Sequence, residues 1–564
     1  MNNYFRFSSK SVLLAVALVV LGSCKDAWDS HYSFKETESK YPVAKIAETL
    51  GDISGFDKFI TVLSTTRMVD KNGTPLNMSY LDLLYEDQFL TVWAPSNSSV
   101  PDSLWTKYMA KNKTRLQHKE VGEQFIQNHI ARFKHSVGEG SNEKIYMLNG
   151  KAYTSKNDGI AGQPYHSTDR NIRCSNGVLH CIDGYLDYLP SLYEYITTAP
   201  AYKEIFGDWF KSFTIEELDP SRSVAQGFND LGEMVYIDSV MIESNMLMSR
   251  YGRIHTEDST FAIVLPTPEL WATVYDEIKE RYVYAENNLN NDSLQQYYTR
   301  TTMMADMFYN INPKVQRYMP DSVFSTRYSQ AENRREGLPF HIFSHPYDKT
   351  SGLFGSAVDS VECSNGIIYF IDKWPFADTL TYLRQIKLEA ETYQNLSGLI
   401  LRSQTVQRVD TTTLDNPIQV MRIAGDGVSN WTGKIYISDN LKGKYSVKMV
   451  MAPNTVSEMP NYIHPTISYQ MPNGKVTDLI DSSVTESVEY RPGKYRVTKI
   501  PFYAINKLDR LDTIDLGIVD LPYCNYDMNQ AKLSITLTSG VNEKNSEKYS
   551  SEIWLDCIIL DPVR

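Results

Sequence analysis

Cysteine is scarce in this sequence, and positive charge is outnumbered. The 564 residues include six cysteines, and a chain this large with so few of them is not a disulfide scaffold. Lys and Arg together number 56 against 68 Asp and Glu, which gives a net charge of −12. No basic stripe of the kind that neutralises phosphates stands out, so we expect no nucleic-acid partner.

Motifs of catalysis are also lacking. The sequence has no nucleophile elbow, no phosphate-binding loop and no helix with paired metal-binding histidines. His341 and His345 have the i, i+4 spacing of a helical metal site, but Pro346 follows at once, so a loop is expected there. We expect no enzyme, no metal and no cofactor, although the carboxylate pairs of glycosidases leave no trace in a single sequence.

The N-terminal apolar run is too short to span a membrane, which needs about 20 residues. It reads SVLLAVALVVLG, follows Arg6 and Lys10, and ends in small residues, as a secretory signal peptide does. The segment from Leu21 to Cys24, LGSC, resembles the lipobox of bacterial lipoproteins. That resemblance implies cleavage before Cys24 and acyl chains on this residue, which anchor the protein in a membrane.

Residues 1–23 are therefore predicted to be a lipoprotein signal peptide, and residues 24–41 a lipid anchor and linker. An ordinary signal peptide with a chance Cys24 is the alternative. Asp26 and Asp29 resemble the acidic surface-export tags of Bacteroidota lipoproteins. The tag implies an outer-membrane lipoprotein on the cell surface; without it, the chain faces the periplasm.

Two copies of nearly the same ten-residue phrase lie 189 positions apart: CSNGVLHCID from Cys174 and CSNGIIYFID from Cys363. Each copy is typical of a strand, an Asn-Gly turn and a second strand. A matching pair of segments precedes them, FLTVWAPSNSSV at 89–100 and TFAIVLPTPELW at 260–271. Both are apolar β-runs that end in Pro and a helix-capping residue. The repetition predicts a duplicated domain.

The capping residues and the thiols give finer predictions. Ser96 or Asn97 in the first copy, and Thr267 in the second, are candidate N-caps of the helix that follows. If Asn176-Gly177 is a two-residue turn, Cys174 lies opposite Leu179, and a bridge to Cys181 is only diagonal. We expect buried free thiols, since Phe370 stands in place of Cys181 in the second copy.

The order of these motifs resembles the fasciclin domain. The match runs through Thr91 to Asn97, Asn128-His129-Ile130, Leu148-Asn149-Gly150 and the closing hairpin from Asn176 to Asp183. The resemblance implies a β core wrapped by helices over residues 42–190. It also implies a binding or adhesive role, because fasciclin domains are typical of cell surfaces and extracellular matrices.

A second, divergent fasciclin-like domain is predicted over residues 191–380, with an insertion at 216–250. Tyr309 to Ile311 stand where the first copy has Asn128 to Ile130, so Asn310 is expected to replace His129. In animal members of the family, motifs near that histidine position have been tied to receptor binding. A histidine among apolar residues usually makes a core hydrogen bond instead, and both roles stay open for His129.

Residues 386–564 are predicted to form an all-β sandwich, because apolar segments alternate with turn residues. Within LKGKYSVKMVM, the apolar side chains of Tyr445, Val447 and Met449 alternate as in a half-buried strand. The segments that carry this prediction are IQVMRIA, GKIYISD, GKYSVKMVMAP, HPTISYQMP, KYRVTKIPF, KLSITLTSG and SEIWLDCIILDPV.

The ends of this region, LEAETY and IWLDCIIL, resemble the first and last strands of galactose-binding-type jelly-roll modules. Many such modules bind carbohydrate, which implies aromatic rings that stack on sugar faces. The candidates are Trp431, Tyr436, Tyr469 and Trp554. Aromatic residues on strands are more often part of the core, so that role stays open as well.

The predicted architecture is a multidomain α+β chain with two fasciclin-like domains followed by a jelly-roll sandwich. The predicted function is a cell-surface lipoprotein that binds or adheres without catalysis through its fasciclin domains. Its expected partners are the membrane, through lipidated Cys24, and a protein or surface glycan. The alternative is a glycan-capture accessory of an outer-membrane polysaccharide uptake complex, which adds a transporter complex as partner.

Overall fold

The computed structural model divides into two compact units, Met1–Ser191 and Leu192–Arg564. It describes residues 41, 43–70, 73–218, 224–228, 234–238, 241–258, 260–285, 291–316, 321–329, 341–392, 404–409, 417–423, 431–480, 483–491, 494–528 and 531–564. The predicted signal peptide and Cys24 lie outside these residues. Within them, no helix has the length and apolar character needed to cross a membrane.

The first unit is a mixed helix and sheet structure. Its helices are α1 (Ile46–Gly51), α2 (Asp57–Thr65), α3 (Tyr80–Leu83), α4 (Asp102–Tyr108) and α5 (Arg115–Val121), the last of which continues into a π-helical turn (Gly122–Ile126) and a 3-10 turn (Gln127–His129). Its strands are β1 (Arg67–Val69), β2 (Pro75–Ser79), β3 (Leu90–Pro95), β4 (Ile130–Arg132), β5 (Asn142–Tyr146), β6 (Ala152–Lys156), β7 (Gly159–Ile160), β8 (Gln163–Pro164), β9 (Ile172–Cys174) and β10 (Gly177–Ile182).

The central sheet of this unit has the strand order β4-β3-β10-β9. Strands β3 and β10 are parallel, and every residue of both is buried. Burial on both faces explains why their sequences are continuous apolar runs rather than alternating ones. The remaining pairs in this sheet are antiparallel, and a second sheet has the order β5-β6-β7-β8.

The closing hairpin turns one residue earlier than predicted. Cys174 pairs with Gly177, so Ser175 and Asn176 form the turn. The expected Asn176-Gly177 turn is wrong. Gly177 belongs to strand β10, where it packs closely against β3, and the side chain of Asn176 is buried. A Cβ on Gly177 would lie 1.8 Å from the carbonyl oxygen of Leu90 on the parallel neighbour, so only glycine fits. Asn176 is buried, and its side chain bonds to backbone.

The Asn176 side chain joins three segments of the first unit. Its Oδ1 accepts the N–H of Ile46 at 2.9 Å, at the start of α1. Its Nδ2 donates to the carbonyl oxygens of Leu84 and Glu86, both at 2.8 Å. Since a buried amide that lost these partners would cost free energy, this asparagine holds the start of the unit against its closing hairpin.

The second unit begins with residues 192–381, which are named the fasciclin-like half here because their central sheet repeats the strand order of the first unit. Its helices are α6 (Leu192–Thr198), α7 (Asp208–Lys211), α8 (Met246–Tyr251), α9 (Pro268–Lys279), α10 (Asn291–Met304), α11 (Pro313–Gln316) and α12 (Asp378–Thr381), with a π-helical turn (Lys203–Gly207) and 3-10 turns (Glu280–Tyr282, Thr326–Ser329). Its strands are β11 (Thr214–Leu218), β12 (Val224–Phe228), β13 (Met234–Asp238), β14 (Met241–Asn245), β15 (Phe261–Pro266), β16 (Phe308–Asn310), β17 (Ser322–Phe324), β18 (Ile342–Ser344), β19 (Asp359–Cys363) and β20 (Gly366–Ile371). The segment predicted as an insertion forms two antiparallel pairs, β11 with β14 and β12 with β13.

The sheet β16-β15-β20-β19 repeats the order and strand directions of the first central sheet. Asn365 repeats the bonds of Asn176: it accepts the N–H of Leu192 at 2.9 Å and donates to the carbonyls of Ile254 and Thr256. A Cβ on Gly366 would lie 1.9 Å from the carbonyl oxygen of Phe261. The repeated phrase therefore marks the same structural junction twice.

The register corrects one predicted equivalence. Val92 pairs with Ile130 in the first sheet, and Ile263 pairs with Phe308 in the second. Met307, which precedes Phe308, therefore stands at the position of His129, and Asn310 does not. The expectation failed because it matched the letters NHI and YNI, whereas strand pairing places Asn310 three positions later.

The predicted helix caps are half correct. Thr267 caps α9, since its hydroxyl oxygen accepts the N–H of Leu270. Ser96 and Asn97 do not cap α4, which begins at Asp102, because residues 96–99 form a turn first. Asn97 instead accepts the N–H of Lys58 at 3.1 Å, at the beginning of α2.

The remainder of the second unit is the predicted β-sandwich. It contains β21 (Ile386–Glu389), a 3-10 turn (Ala390–Thr392), β22 (Gln404–Val409), β23 (Ile418–Ile423), β24 (Thr432–Ile437), β25 (Gly443–Met451), β26 (Ile463–Gln470), β27 (Val476–Ile480), β28 (Ser483–Arg491), β29 (Lys494–Pro501), β30 (Asp512–Leu521), β31 (Leu533–Ser539) and β32 (Ile553–Pro562).

Two antiparallel sheets enclose the core of the sandwich. One has the order β22-β23-β32-β25-β30, with β21 also pairing β32, and the other has the order β24-β31-β26-β27. Tyr445, Val447 and Met449 are buried between the sheets, as their alternation predicts. The described strands and helices thus confirm the mixed α+β class.

Two residues of the sandwich loops extend the core of the fasciclin-like half. Leu441 and Cys524, both from sandwich loops, belong to the hydrophobic cluster of the fasciclin-like half. The N–H of Cys524 donates to the carbonyl of Val283 at 2.7 Å, and that of Lys442 donates to the carbonyl of Arg281 at 3.0 Å. These contacts hold the two halves of the second unit in one arrangement, so residues from both halves can line a single site.

Candidate functional site

The structure places His129 in the core of the first unit. Its ring lies 4.8 Å from that of Phe125 and 5.9 Å from that of Phe59, and it is not exposed to solvent. Its Nδ1–H donates to the carbonyl of Phe125 at 2.7 Å, and its Nε2 accepts the N–H of Leu186 at 2.9 Å. Burial lowers the pKa of His129 to about 4. Both ring nitrogens are used internally, so the ring holds backbone together.

Of the aromatic residues predicted for the sandwich, one reaches solvent. Trp431, Tyr469 and Trp554 are buried, with at most 4% of their surface exposed, and offer no face to a sugar. Tyr436 is 44% exposed and points away from the core on β24. The Nζ of Lys434 lies 5.1 Å from its ring centroid, so a cation already occupies part of this neighbourhood.

The two paired histidines do not form a metal site. His341 is buried and precedes the short strand β18, while His345 is exposed and has a positive φ of 47°. The Nδ1 of His341 lies 3.1 Å from the Oδ2 of Asp306. The five cysteines within the described residues are buried and form no disulfide, as expected.

One cluster in the described part of the chain has metal-ligand chemistry: Glu389, Asp556 and Cys557, whose ligand atoms lie within 4.8 Å of one another. The Nζ of Lys387 lies 2.6 Å from the Oε1 of Glu389 and already neutralises that carboxylate. Burial, together with Asp556, raises the pKa of Cys557 to about 12, so its thiol stays protonated. Lys387 would therefore compete with a metal ion for Glu389, and the protonated thiol of Cys557 is a poor metal ligand.

A cavity of about 390 Å³ opens between the fasciclin-like half and the sandwich of the second unit. Its volume is within the range of small-molecule sites, roughly 300–1,000 Å³. Three residue types dominate its lining: tyrosine, arginine and threonine. The tyrosines are Tyr251, Tyr282, Tyr298, Tyr382, Tyr445 and Tyr526.

The aromatic wall of this cavity is held by ring contacts. Tyr282 stacks on Tyr298 with their centroids 5.8 Å apart, and Tyr526 meets both edge-on, at 6.1 Å and 5.0 Å. Tyr298 also donates a hydrogen bond to Asp527. Tyr282 is almost fully buried, whereas Tyr526 is 39% exposed at the mouth. The cluster therefore runs from the core to solvent.

The hydroxyl groups of the wall are neutral at physiological pH. Burial raises the pKa of Tyr382 and of Tyr445 to about 12 each, and it also raises the pKa of Tyr282. Protonated phenols donate and accept hydrogen bonds but do not act as bases. Thr301, Thr302 and Thr381 add aliphatic hydroxyls to the same lining.

Charged groups of both signs line the cavity, with arginine in excess. Arg250, Arg327 and Arg384 contribute guanidinium groups, and Asp439 contributes a carboxylate. The Nη1 of Arg327 lies 3.3 Å from the Oδ2 of Asp306, so that charge is paired behind the wall. The Oδ1 of Asp439 accepts the backbone N–H of Asp527, and its Oδ2 accepts the hydroxyl of Ser438.

A second cavity, of about 290 Å³, adjoins the first and shares Tyr382 with it. Trp374, Phe376 and the aliphatic part of α9 line this second space. Asp378 and Arg564 line it as well and form an ion pair at 2.7 Å. Because Tyr382 lines both spaces, the surface has room for more than one small unit.

The fasciclin domain model matches residues 55–188. This fasciclin domain includes α2 to α5 and the central sheet of the first unit, with His129 and Asn176 in its core. The resemblance inferred from the motifs is therefore confirmed for the first copy. No curated protein matches the chain.

Solved structures of carbohydrate-binding modules share distant similarity with about a third of the chain. The CBM22-1 xylan-binding domain of Xyn10C from Paenibacillus barcinonensis has 10% identity and a TM-score of 0.20, and the match covers 32% of this chain and 96% of that domain. The GH26-CBM35 β-(1,4)-mannanase from Podospora anserina has 14% identity and a TM-score of 0.17, with 32% and 28% covered. A family 35 module from Clostridium thermocellum has 16% identity and a TM-score of 0.16, with 31% and 98% covered.

Sequence reasoning did not find the tyrosine and arginine cavity. Its residues come from α8, α10, the segment before β21, the loops of the sandwich and β25, and no short motif joins them. The one feature of the sequence that could have indicated this cavity is its high tyrosine content, 38 residues. An excess of tyrosine favours both β-structure and binding surfaces, so it does not point to a particular site.

Proposed function

We propose that this chain is a lipid-anchored cell-surface protein that binds glycan without catalysis, through the cavity between the two halves of its second unit. The observation that carries the proposal is the lining of that cavity, in which tyrosine rings stand next to threonine hydroxyls and guanidinium groups. Sugar rings have apolar faces and polar edges, so they are recognised by aromatic faces together with a few planar polar groups.

The second cavity supports a polymer rather than a single small molecule. Tyr382 lines both spaces, and Trp374 adds another aromatic ring to the second one. A chain of sugar units requires neighbouring subsites, whereas a monosaccharide requires one. The adjoining cavities are therefore better suited to an oligosaccharide segment.

The polar groups support binding over hydrolysis. Canonical glycosidases act with two carboxyl groups flanking the bond. Among the residues that line the larger cavity, Asp439 supplies the one carboxylate, and donors from Asp527 and Ser438 already bond to it. The tyrosine hydroxyls stay protonated, so they position a ligand instead of taking its protons.

Adhesion through the fasciclin domain is the second candidate function, and the family match over residues 55–188 favours it. The two functions are compatible, because the domain and the cavity lie in different units. Attachment through Cys24 would place both at a membrane surface. A more specific form of the glycan proposal is that the chain captures polysaccharide for an outer-membrane uptake complex.

The proposal is tested by titrating the full chain with a panel of neutral and acidic oligosaccharides in a calorimeter. Tyr382→Ala is expected to weaken binding about tenfold or more, because it removes the ring shared by both cavities. Tyr436→Ala is the matched control, an exposed tyrosine on the outer sheet, and is expected to leave the affinity unchanged. A panel without any binder, or a loss confined to Tyr436→Ala, would contradict the proposal.

A further inference from the structure

Arg384 lines the larger cavity, and its Nε has no hydrogen-bond partner among the described residues. It lies in the short segment between α12 and β21, which joins the fasciclin-like half to the sandwich. Its Nε is buried, and no atom of the described residues accepts from it. A buried donor without an acceptor costs roughly 1–3 kcal/mol, so such groups in folded proteins usually have a ligand, water or ion as partner.

We propose that the larger cavity binds the carboxylate of an acidic glycan, a chain that contains uronic-acid units, and that Arg384 is the residue that bonds to this carboxylate. The inference rests on the proposed glycan-binding function and adds the ligand class. The planar fork of arginine matches a carboxylate with two parallel hydrogen bonds, which lysine and the neutral amides do not offer.

The surrounding charges favour an anion at this place. Three guanidinium groups line the cavity against one carboxylate. Arg327 is paired with Asp306 behind the wall, and the Oδ1 and Oδ2 of Asp439 accept from a backbone N–H and a hydroxyl. Arg250 is exposed; its guanidinium lies 5.9 Å from the ring centroid of Tyr251, and its Nη1 donates to the hydroxyl of Tyr297 at 3.5 Å. The lining therefore has positive charge to offer to a ligand.

The rings next to Arg384 fit the remainder of the sugar. Tyr382 is two residues earlier in the same segment, and Tyr526 exposes 39% of its surface at the mouth. A uronic acid has both an apolar ring face and a planar carboxylate, and the cavity offers a partner for each. A neutral sugar would offer the guanidinium hydroxyl acceptors but no counter-charge, and an aliphatic acid would leave the rings unused.

The inference is tested with oligosaccharides of polygalacturonate, alginate and glucuronan, each compared with its own carboxyl-reduced form. The full chain is expected to bind one or more acidic forms and to lose about tenfold or more in affinity for the reduced partner, because a charged hydrogen bond is lost. Arg384→Gln is expected to lower the affinity for the acidic form by about the same factor of ten or more, and to leave the affinity for the reduced form unchanged. Arg384→Lys is expected to fall between wild type and Arg384→Gln.

Arg253→Gln is the matched control, since Arg253 is an exposed arginine of the same unit outside the cavity. Thermal melts of each variant exclude loss of fold as the cause. Equal binding of acidic and reduced forms would overturn the inference while the glycan-binding function stands. Acid-selective binding that survives Arg384→Gln would also overturn it, and a chain that binds neither form nor any neutral glycan would overturn both proposals.

Discussion

His341 lies against Asp306 in the core of the second unit, with its Nδ1 3.1 Å from the carboxylate Oδ2. Its Nε2 accepts the N–H of Ala377 at 2.8 Å, in the segment that leaves β20. In the fasciclin domain, the Nε2 of His129 accepts the N–H of Leu186 in the segment that leaves β10. A histidine from another part of the chain therefore performs the same backbone-holding task in the second copy.

Asp306 stands at the position of Asn128, and its charge has consequences for stability. Burial alone would raise its pKa, but hydrogen bonds from His341 and Ser325 and the charge of Arg327 outweigh burial and lower it. Asp306→Asn is expected to destabilise the second unit by about 3–5 kcal/mol, because Arg327 stays buried without a counter-charge. Hydrogen exchange of peptides from α10 and β16 measures the loss.

A second variant separates the charge from the shape of this site. Asp306→Asn combined with Arg327→Met removes both charges, and it is expected to recover much of the lost stability, since apolar replacements of buried ion pairs are often neutral. If the double variant were as unstable as the sum of both single ones, the pairing would not be the source of the effect.

The fasciclin domain is expected to lose stability as the pH falls from about 6.5 to 4. Burial lowers the pKa of His129 and of His180 to about 4. Between about pH 6.5 and 4, these histidines therefore bind protons in the unfolded state but stay neutral in the folded state. Each histidine then contributes on the order of 3 kcal/mol that is present above this window and lost within it. Urea unfolding of the first unit at several pH values measures the slope.

Replacing one of these histidines should reduce that slope. His180→Gln is expected to remove a substantial part of the pH dependence of the first unit between about pH 6 and 4.5. A slope that His180→Gln does not alter would mean that the buried histidines are not the groups that titrate.

Gly177 is expected to be irreplaceable because of space. Gly177→Ala would put a methyl group 1.8 Å from the carbonyl oxygen of Leu90, so β3 and β10 must separate. We expect a loss of about 3 kcal/mol or more in the free energy of unfolding of the first unit. Gly51→Ala is the control at the end of α1, where nothing lies within 4 Å, and it is expected to be neutral or to stabilise by up to about 1 kcal/mol. Equal effects of both variants in chemical denaturation would rule out the steric explanation.

Cys24 is expected to be the membrane anchor. Cys24→Ala should move the protein from the membrane fraction to the soluble fraction, because acyl chains on this residue supply the attachment. Cys363→Ala, a buried thiol without that role, should remain in the membrane fraction. Immunoblots of fractionated cells measure both, and a Cys24→Ala protein that stays with the membrane would contradict lipidation there.

The parts of the fold that sequence reasoning anticipated are those with local signals. The repeated hairpin, the apolar strands β3 and β15 and the cap at Thr267 follow from apolar runs and turn residues close in the chain. Most sandwich strands follow from alternating apolar residues. Strand β30 does not, because it lies beside β25 at the end of its sheet and carries Asp512, Asp515 and Asp520 among its apolar positions.

The remaining features depend on contacts between distant segments. The replacement of the role of His129 by His341 in the second copy was not predictable. Only the strand register shows that Met307 occupies the position that corresponds to His129. The cavity was not predictable for the same reason: Tyr251, Tyr382, Arg384 and Tyr526 meet only when the two halves pack on each other. A single sequence holds no information on which distant residues become neighbours.

Hydrogen–deuterium exchange of the full chain, with and without a bound oligosaccharide, locates the glycan-binding surface. We expect protection in the segments that line the cavity, residues 380–386, 439–445 and 523–527, and none in β24 around Tyr436. Protection confined to β24 or to residues 55–188 would contradict binding in the cavity, because the glycan would then bind elsewhere.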